Sequence, residues 1–273
     1  MQASSTWSPP TGTLGTIIVA ARARARALSE RAGELSRQAV EVQGVPSFSD
    51  ALRSQTVAII AEVKRRSPSK GWIQPNLDAA AQARAYETAG ASAVSVLTEP
   101  DHFAGSPDDL LAVRAAIRLP VLKKDFHVEP VQLLEAKALG ASAALLIARA
   151  LGPRGLAEMM DAAAHLALEV LVEIRDEREL EQARDLGAEV IGINNRNLET
   201  LAMDTSTSER LLTSIPEAVI VVAESGIVGR SDVERVARSG ANAVLVGSSL
   251  SGASDAVQAV RALTGVRRSA RAR

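Results

Sequence analysis

The segment "LGASAALLI" (residues 139–147) has three near-copies in the chain: "AGASAVSVL" (89–97), "LGAEVIGIN" (186–194) and "SGANAVLVG" (239–247). Each puts a glycine after a helical pattern and follows it with a short apolar run. A glycine just past a helix fits the left-handed cap conformation. The apolar run reads as a strand buried on both faces, as in a parallel sheet. Gly90, Gly140, Gly187 and Gly240 recur at roughly 50-residue intervals, about twice a minimal βα unit. A second set of apolar runs interleaves with them: "VAIIAEVK" (57–64), "LPVLKKDF" (119–126), "LEVLVEIR" (168–175) and "AVIVVAES" (218–225). Helical patterns lie between the strands, near 78–89, 107–117, 130–139, 154–167, 176–186, 204–214, 230–238 and 252–263. Eightfold β–α alternation predicts a parallel sheet covered by helices. Eight units in about 210 residues fit a closed (β/α)8 barrel, the TIM barrel of the α/β class. The alternative is an open doubly wound sheet. It lacks a GxGxxG after the first strand, and it would leave edges that a barrel closes.

The barrel is expected over residues 57–265. Residues 1–56 read as a helical extension that caps one end of it, with "VPSFSDALR" (45–53) as a loop with a short turn. The basic tail, 266–273, reads as a frayed, solvated terminus. The chain has 273 residues, 47% of them hydrophobic, 23% charged and only 2% aromatic, so the core must be built from Ala, Val, Ile and Leu. A net charge of −1 gives no electrostatic footprint for nucleic acid or an anionic membrane. No apolar run approaches the ~20 residues of a membrane span. The start of the chain lacks the basic–apolar–small order of a signal peptide, and the expected location is cytoplasmic. With no cysteine there is no disulfide framework, thiolate nucleophile or Cys-ligated zinc.

In such a barrel the chemistry sits at the C-terminal ends of the strands. Strand one ends with Glu62 and Lys64, strand three with Lys123, Lys124 and Asp125, and strand five with Glu173. Strand six ends with Asn194, Asn195 and Arg196, and strand seven with Glu224 and Ser225. Side chains alternate along a strand, so Ile60, Glu62 and Lys64 share one face and Ala61 and Val63 the other. Small apolar residues suit the face toward the helices, which turns Glu62 and Lys64 into the barrel mouth. Any single charge has an equal alternative as a structural ion pair. Five charged strand ends together argue against it, because buried charges are costly unless well paired.

The last two strands carry a different signal. Gly226 follows strand seven, and Gly247, Ser248 and Ser249 follow strand eight. Glycine lets backbone N–H groups approach an anion, and a phosphate site after strands seven and eight is common in these barrels. Lys64 can reach the same dianion as a point charge. Ser67, in "SPSKG", reads equally as a polar contact and as a turn former. His102, His127 and His165 have no metal-ligand spacing, so no metal site is expected.

"IIAEVKRRSPSKG", "SVLTEPDHFAGS", "LPVLKKDF", "VLVEI", "IGINNRNLET", "VAESGI" and "AVLVGSSL" together resemble the indole-3-glycerol phosphate synthase family of tryptophan biosynthesis, from about residue 45 to 250. The resemblance implies a (β/α)8 barrel with an N-terminal extension. It implies a carboxy-lyase that converts 1-(2-carboxyphenylamino)-1-deoxyribulose 5-phosphate to indole-3-glycerol phosphate, with loss of carbon dioxide and water and without a cofactor. It casts Lys124 as the general acid at the ribulose carbonyl and Glu173 as the base of the later dehydration. Glu62, Lys64 and Asn194 match further active-site positions, and Ser67, Arg196, Glu224 and Ser225 substrate contacts. Gly226, Gly247 and Ser248, with Lys64, match the phosphate grip; Phe103, Phe126 and Leu145 match the apolar pocket for the anthranilate ring. The expected partner is the phosphorylated small molecule alone, bound by a monomer or weak homo-oligomer. His127, Val131 and the Ala/Arg-rich extension depart from the family's pattern. Two rivals stand beside this: a Schiff-base aldolase with Lys124 as nucleophile, and a silent barrel that only binds a phosphate ligand or partner.

Overall fold

The inward–outward alternation of the eight apolar runs closes them into a ring. The computed structural model describes residues 7–271; the first six residues of the extension and the last two of the tail lie outside the described residues. The barrel strands are β1 (Ala58–Val63), β2 (Ala93–Leu97), β3 (Val121–Lys124), β4 (Ala143–Ile147), β5 (Glu169–Ile174), β6 (Val190–Asn194), β7 (Ile220–Glu224) and β8 (Ala243–Val246). All pair in parallel in chain order, and β8 returns to β1. Gly90, Gly140, Gly187 and Gly240 each take positive φ (91°, 77°, 73° and 89°) just past a helix, the conformation their repeat predicts.

Two apolar layers follow from the alternation. Ile59, Ala61, Val63, Val94, Val96, Val121 and Val172 face the helices. Ala58, Ile60, Leu122, Leu145, Leu171, Val222 and Leu245 fill the lumen. The lumen is therefore a packed core below a polar rim, and a polar side chain can only be exposed near the strand ends.

The extension reaches both ends of the barrel rather than one. Helix α1 (Gly12–Ser29) lies over the C-terminal ends of the strands, where Leu14, Ile17 and Ile18 join the cluster of Phe126, Leu145 and Ile147. Helix α2 (Ala32–Glu41) packs beside the helix Pro130–Ala138. The expected short turn in "VPSFSDALR" is helix α3 (Phe48–Ala51), and it plugs the floor. Phe48 and Leu52 are fully buried in the lumen cluster. The N–H groups of Phe48 and Ser49 donate to the Glu169 carboxylate, at the start of β5, at 3.0 and 2.7 Å.

The tail is not frayed through Arg271. The Val57 N–H donates to the Val266 carbonyl at 2.8 Å, and the Ser269 N–H to Ala237 at 2.9 Å. Arg268 pairs with Glu217 at 2.6 Å. The Arg271 guanidinium is buried and donates to the carbonyls of Gly240 (2.5 Å), Ile215 (3.2 Å) and Val219 and to Asn242 Oδ1 (2.9 Å). The basic run reads as solvated because these acceptors come from loops far away in sequence.

Candidate active site

Period-two alternation delivers the polar rim. Glu62, Lys124, Glu173, Asn194 and Glu224 continue the inward faces of β1, β3, β5, β6 and β7, above lumen residues such as Ile60, Leu122, Leu171 and Val222. They meet in a cavity of ≈ 360 Å³ at the C-terminal end of the barrel. Every residue that the family resemblance casts in the site lines it: Glu62, Lys64, Ser67, Phe103, Lys124, Phe126, Leu145, Glu173, Asn194, Arg196, Glu224, Ser225, Gly226, Gly247 and Ser248.

Lys124 sits among carboxylates. Its Nζ is 3.1 Å from Glu224 Oε2 and 3.4 Å from Glu173 Oε2. Burial alone would push this ammonium down, but the charges of Glu224, Glu173 and Glu62 outweigh it, and its pKa is raised. Lys124 is therefore a cation at neutral pH. Burial pushes the Glu224 carboxyl up to about 8, with the Lys124 charge opposing and Glu173 adding. Glu224 Oε1 is buried with no hydrogen-bond partner among the described residues, which leaves it open to a ligand group. Glu173 Oε1 accepts from Asn194 Nδ2 at 3.0 Å, and Asn194 Oδ1 accepts the Arg196 N–H at 2.9 Å. Those two bonds fix the orientation of the amide. Lys64 Nζ donates to Glu62 Oε1 at 2.5 Å.

The two sides of the cavity differ in character. Beyond β2 and β3 the rings of Phe103 and Phe126 lie with centroids 6.1 Å apart, and Leu145 of β4 adjoins them. Across the ring, beyond β7 and β8, Ser225 and Gly226 take positive φ (59° and 79°), and Gly247 precedes the short helix Ser248–Ser251. In that first turn the Leu250 and Ser251 N–H groups donate to the Gly247 carbonyl at 2.9 Å, which leaves those of Ser248 and Ser249 to meet an anion. Arg196, which donates to the Leu201 carbonyl at 3.0 Å, has no ion-pair partner among the described residues.

Gly247 also makes room for two charged side chains. A Cβ there would lie 2.2 Å from Glu62 Oε1 and 2.6 Å from Lys64 Nζ. Gly192 does the same for Glu224, whose Oε1 would be 2.2 Å from an added Cβ. Gly192 carries no site signal of its own in the sequence, although period two from Asn194 places it inward. Also unforeseen are Thr13 and Ile17 of α1, which line the cavity. Ser67 combines both of its expected roles in position: it lines the cavity, and its hydroxyl accepts the Lys70 N–H at 3.2 Å.

Two strand-end residues fall outside the site. Lys123 points away from the mouth and pairs with Glu135 at 2.7 Å, and Asn195 binds Ser208 and the Ser225 carbonyl. Both are odd-phase neighbours of inward residues. No group of three or more His, Asp or Glu among the described residues is placed to hold a metal ion. No helix among them is long and apolar enough to cross a membrane.

A closed parallel barrel whose mouth joins a lysine–carboxylate cluster, an aromatic wall and a glycine–serine anion cradle belongs to the (β/α)8 enzymes that act on phosphorylated small molecules. The profile of one such family, indole-3-glycerol phosphate synthase, matches residues 14–263, well into the extension. A Nocardioides protein named indole-3-glycerol phosphate synthase is 50% identical over 214 residues, covering 78% of this chain and 82% of its own. One from Kineococcus radiotolerans is 44% identical over 260 residues, covering 89% and 94%. The chain belongs to the indole-3-glycerol phosphate synthase family. Among solved structures, an N-acetylmannosamine-6-phosphate 2-epimerase from Clostridium perfringens aligns with a TM-score of 0.60 at 14% identity, covering 76% of this chain and 93% of that one. A thiamine phosphate pyrophosphorylase from Pyrococcus furiosus aligns at 0.58 and 17%, covering 78% and 95%. At those identities they share the fold alone.

Proposed function

We propose that this chain is an indole-3-glycerol phosphate synthase. It closes the ring of 1-(2-carboxyphenylamino)-1-deoxyribulose 5-phosphate, then removes carbon dioxide and water. The observation that carries the mechanism is the Lys124 ammonium, held by Glu173 and Glu224 between an aromatic wall and an anion cradle. The substrate has matching ends: an aromatic ring and a phosphate.

In the first step the ring carbon bearing the carboxylate attacks the ribulose carbonyl. Lys124 protonates the developing alkoxide, which stabilises charge only as it forms. The attacked ring carbon is now tetrahedral. Loss of carbon dioxide returns the electron pair of the broken C–C bond to the ring and restores its aromaticity. Water then leaves: the hydroxyl departs from the former carbonyl carbon, and a proton departs from the neighbouring carbon next to nitrogen. We assign that proton to Glu173, oriented by Asn194, and assign the proton for the departing hydroxyl to the Lys64–Glu62 pair. Neighbouring charges give the acid and the base their separate tasks. Gly226, Gly247 and Ser248 with Lys64 are assigned to the phosphate, Phe103, Phe126 and Leu145 to the ring. Ser67, Arg196 and Ser225 are assigned to the polar groups between them. The enzyme is proposed to work in the cytoplasm as a monomer or weak homo-oligomer.

The Schiff-base alternative needs Lys124 as a neutral amine, and the raised pKa counts against it. The test is the fluorescence of indole-3-glycerol phosphate formed from the carboxyphenylamino substrate, with borohydride added in parallel. Product without trapped lysine is expected. No product at high enzyme concentration, or trapping of substrate on Lys124, would overturn the assignment.

A further inference from the structure

Two buried carboxylates set the backbone of the aromatic wall, and one guanidinium joins them. Glu99, just past β2, is fully buried and accepts the N–H groups of Asp101, His102 and Phe103 at 3.2, 2.7 and 3.1 Å. It thereby caps the short helix Pro100–Phe103, which presents Phe103. Asp125 directly follows Lys124. It accepts the Phe126 N–H at 2.8 Å and the Thr98 hydroxyl at 2.7 Å. Arg24 of α1 reaches both: its Nη2 donates to Asp125 Oδ1 at 3.0 Å, and its Nη1 lies 3.5 Å from Glu99 Oε1 and 3.7 Å from Asp101 Oδ2.

We propose that Arg24 is a positioning residue for substrate binding, which holds Phe103 and Phe126 in register as one ring-binding wall through Glu99 and Asp125. This rests on the assignment of that wall to the aromatic end of the substrate. The other basic groups nearby pair with one of the two carboxylates but do not bridge them. Lys123 is committed to Glu135 at 2.7 Å and lies 3.9 Å from Asp125. His102 Nδ1 is 3.2 Å from Glu99 but is partly exposed, and serves one carboxylate only. Without the guanidinium, two buried carboxylates lose their shared counter-charge. What yields is their hold on the Phe103 and Phe126 N–H groups, and the 6.1 Å ring spacing goes with it. A planar fork can serve two acceptors at once, whereas an ammonium on a flexible stem serves one well. Arg24 touches none of the reacting groups, so its removal should act on binding of the ring end and spare chemistry and phosphate.

The test compares the intact protein with Arg24→Gln and Arg24→Lys. It measures KM and kcat for the carboxyphenylamino substrate, Kd for its reduced, unreactive analogue, and Kd for inorganic phosphate. In Arg24→Gln, KM and the analogue Kd should rise about tenfold, the scale of a lost apolar contact in a pocket. In the same variant kcat should change by less than about threefold, the pattern of lost ground-state binding, and the phosphate Kd should stay constant. Arg24→Lys should fall between. A lower melting temperature with wild-type KM and Kd, or equal weakening of analogue and phosphate, overturns the proposal. If Arg24→Gln does not fold, Arg24→Lys decides it: an intermediate KM supports the clamp, a wild-type KM overturns it. A wild-type protein that makes no product sinks the underlying assignment instead, and the analogue Kd then still tests the clamp separately.

Discussion

At the residue scale the cluster around Lys124 keeps its geometry because Gly192 has no side chain. Glu173 lies beside Gly192 in register, and Glu224 folds into the space above Gly192. An inward methyl there would sit where the Glu224 carboxylate now is. Gly192→Ala should therefore displace Glu224 and leave Lys124 with one carboxylate partner fewer. Misplacement of catalytic groups by about 1 Å can cost ~100-fold, so kcat should fall on that order. The overpacking should lower stability by about 1–3 kcal/mol. Steady-state kinetics and a denaturant titration check both. Wild-type kcat in Gly192→Ala would mean that Glu224 does not need its present position.

At the element scale the strand ends sort by phase. Lys123 and Lys124 are adjacent in sequence and identical in type, yet one faces the helices and the other the cavity. Alternation alone decides this, which is why the inward set Glu62, Lys124, Glu173, Asn194 and Glu224 is legible in the amino-acid sequence. Contacts made across the barrel are not legible there. Arg24 meets Glu99 and Asp125, and Phe48 meets Glu169, only after the extension has docked, and no local pattern encodes that docking. The same holds for His127. Its Nδ1–H donates to the Leu145 carbonyl at 2.7 Å, and its Nε2 faces Lys123 Nζ at 3.5 Å. That tautomer leaves no room for a second proton beside a cation. Burial first, then Lys123 and more weakly Arg24, push its pKa down to about 3, with Asp125 opposing. The unfolded chain binds the proton at the ordinary value of about 6.5, so between those limits the unfolded state carries more protons. Stability from this group is complete above about pH 6.5 and is lost as pH falls toward 3. His127→Gln keeps a donor for Leu145 and should flatten the difference in unfolding free energy between about pH 4.5 and 7, by at most a few kcal/mol. An unchanged pH slope would contradict the assigned tautomer and environment.

At the scale of the whole molecule the described parts of the extension and of the tail both belong to the barrel's closure. The extension covers the mouth with α1 and plugs the floor with α3, while the tail ties the floor from outside. Arg271 satisfies carbonyls from the segments before β7 and β8, at the end of the barrel opposite the cavity. Arg271→Ala would leave several buried acceptors without a donor and should cost about 2–4 kcal/mol. Its kcat should match the wild type below the lowered melting temperature. A thermal melt beside a kcat measurement separates the two effects; loss of kcat without loss of stability would show that the floor and the site are coupled.

All of these scales meet in one claim, that the Lys124 ammonium drives ring closure at the mouth of this barrel. The most direct measurement follows indole-3-glycerol phosphate by fluorescence in the wild type and in Lys124→Ala, beside binding of the reduced substrate analogue to each. The account predicts product from the wild type, and from Lys124→Ala a fall in turnover of about 100-fold or more, the scale of a lost general acid, with analogue binding retained. Retained turnover with lost binding would contradict it.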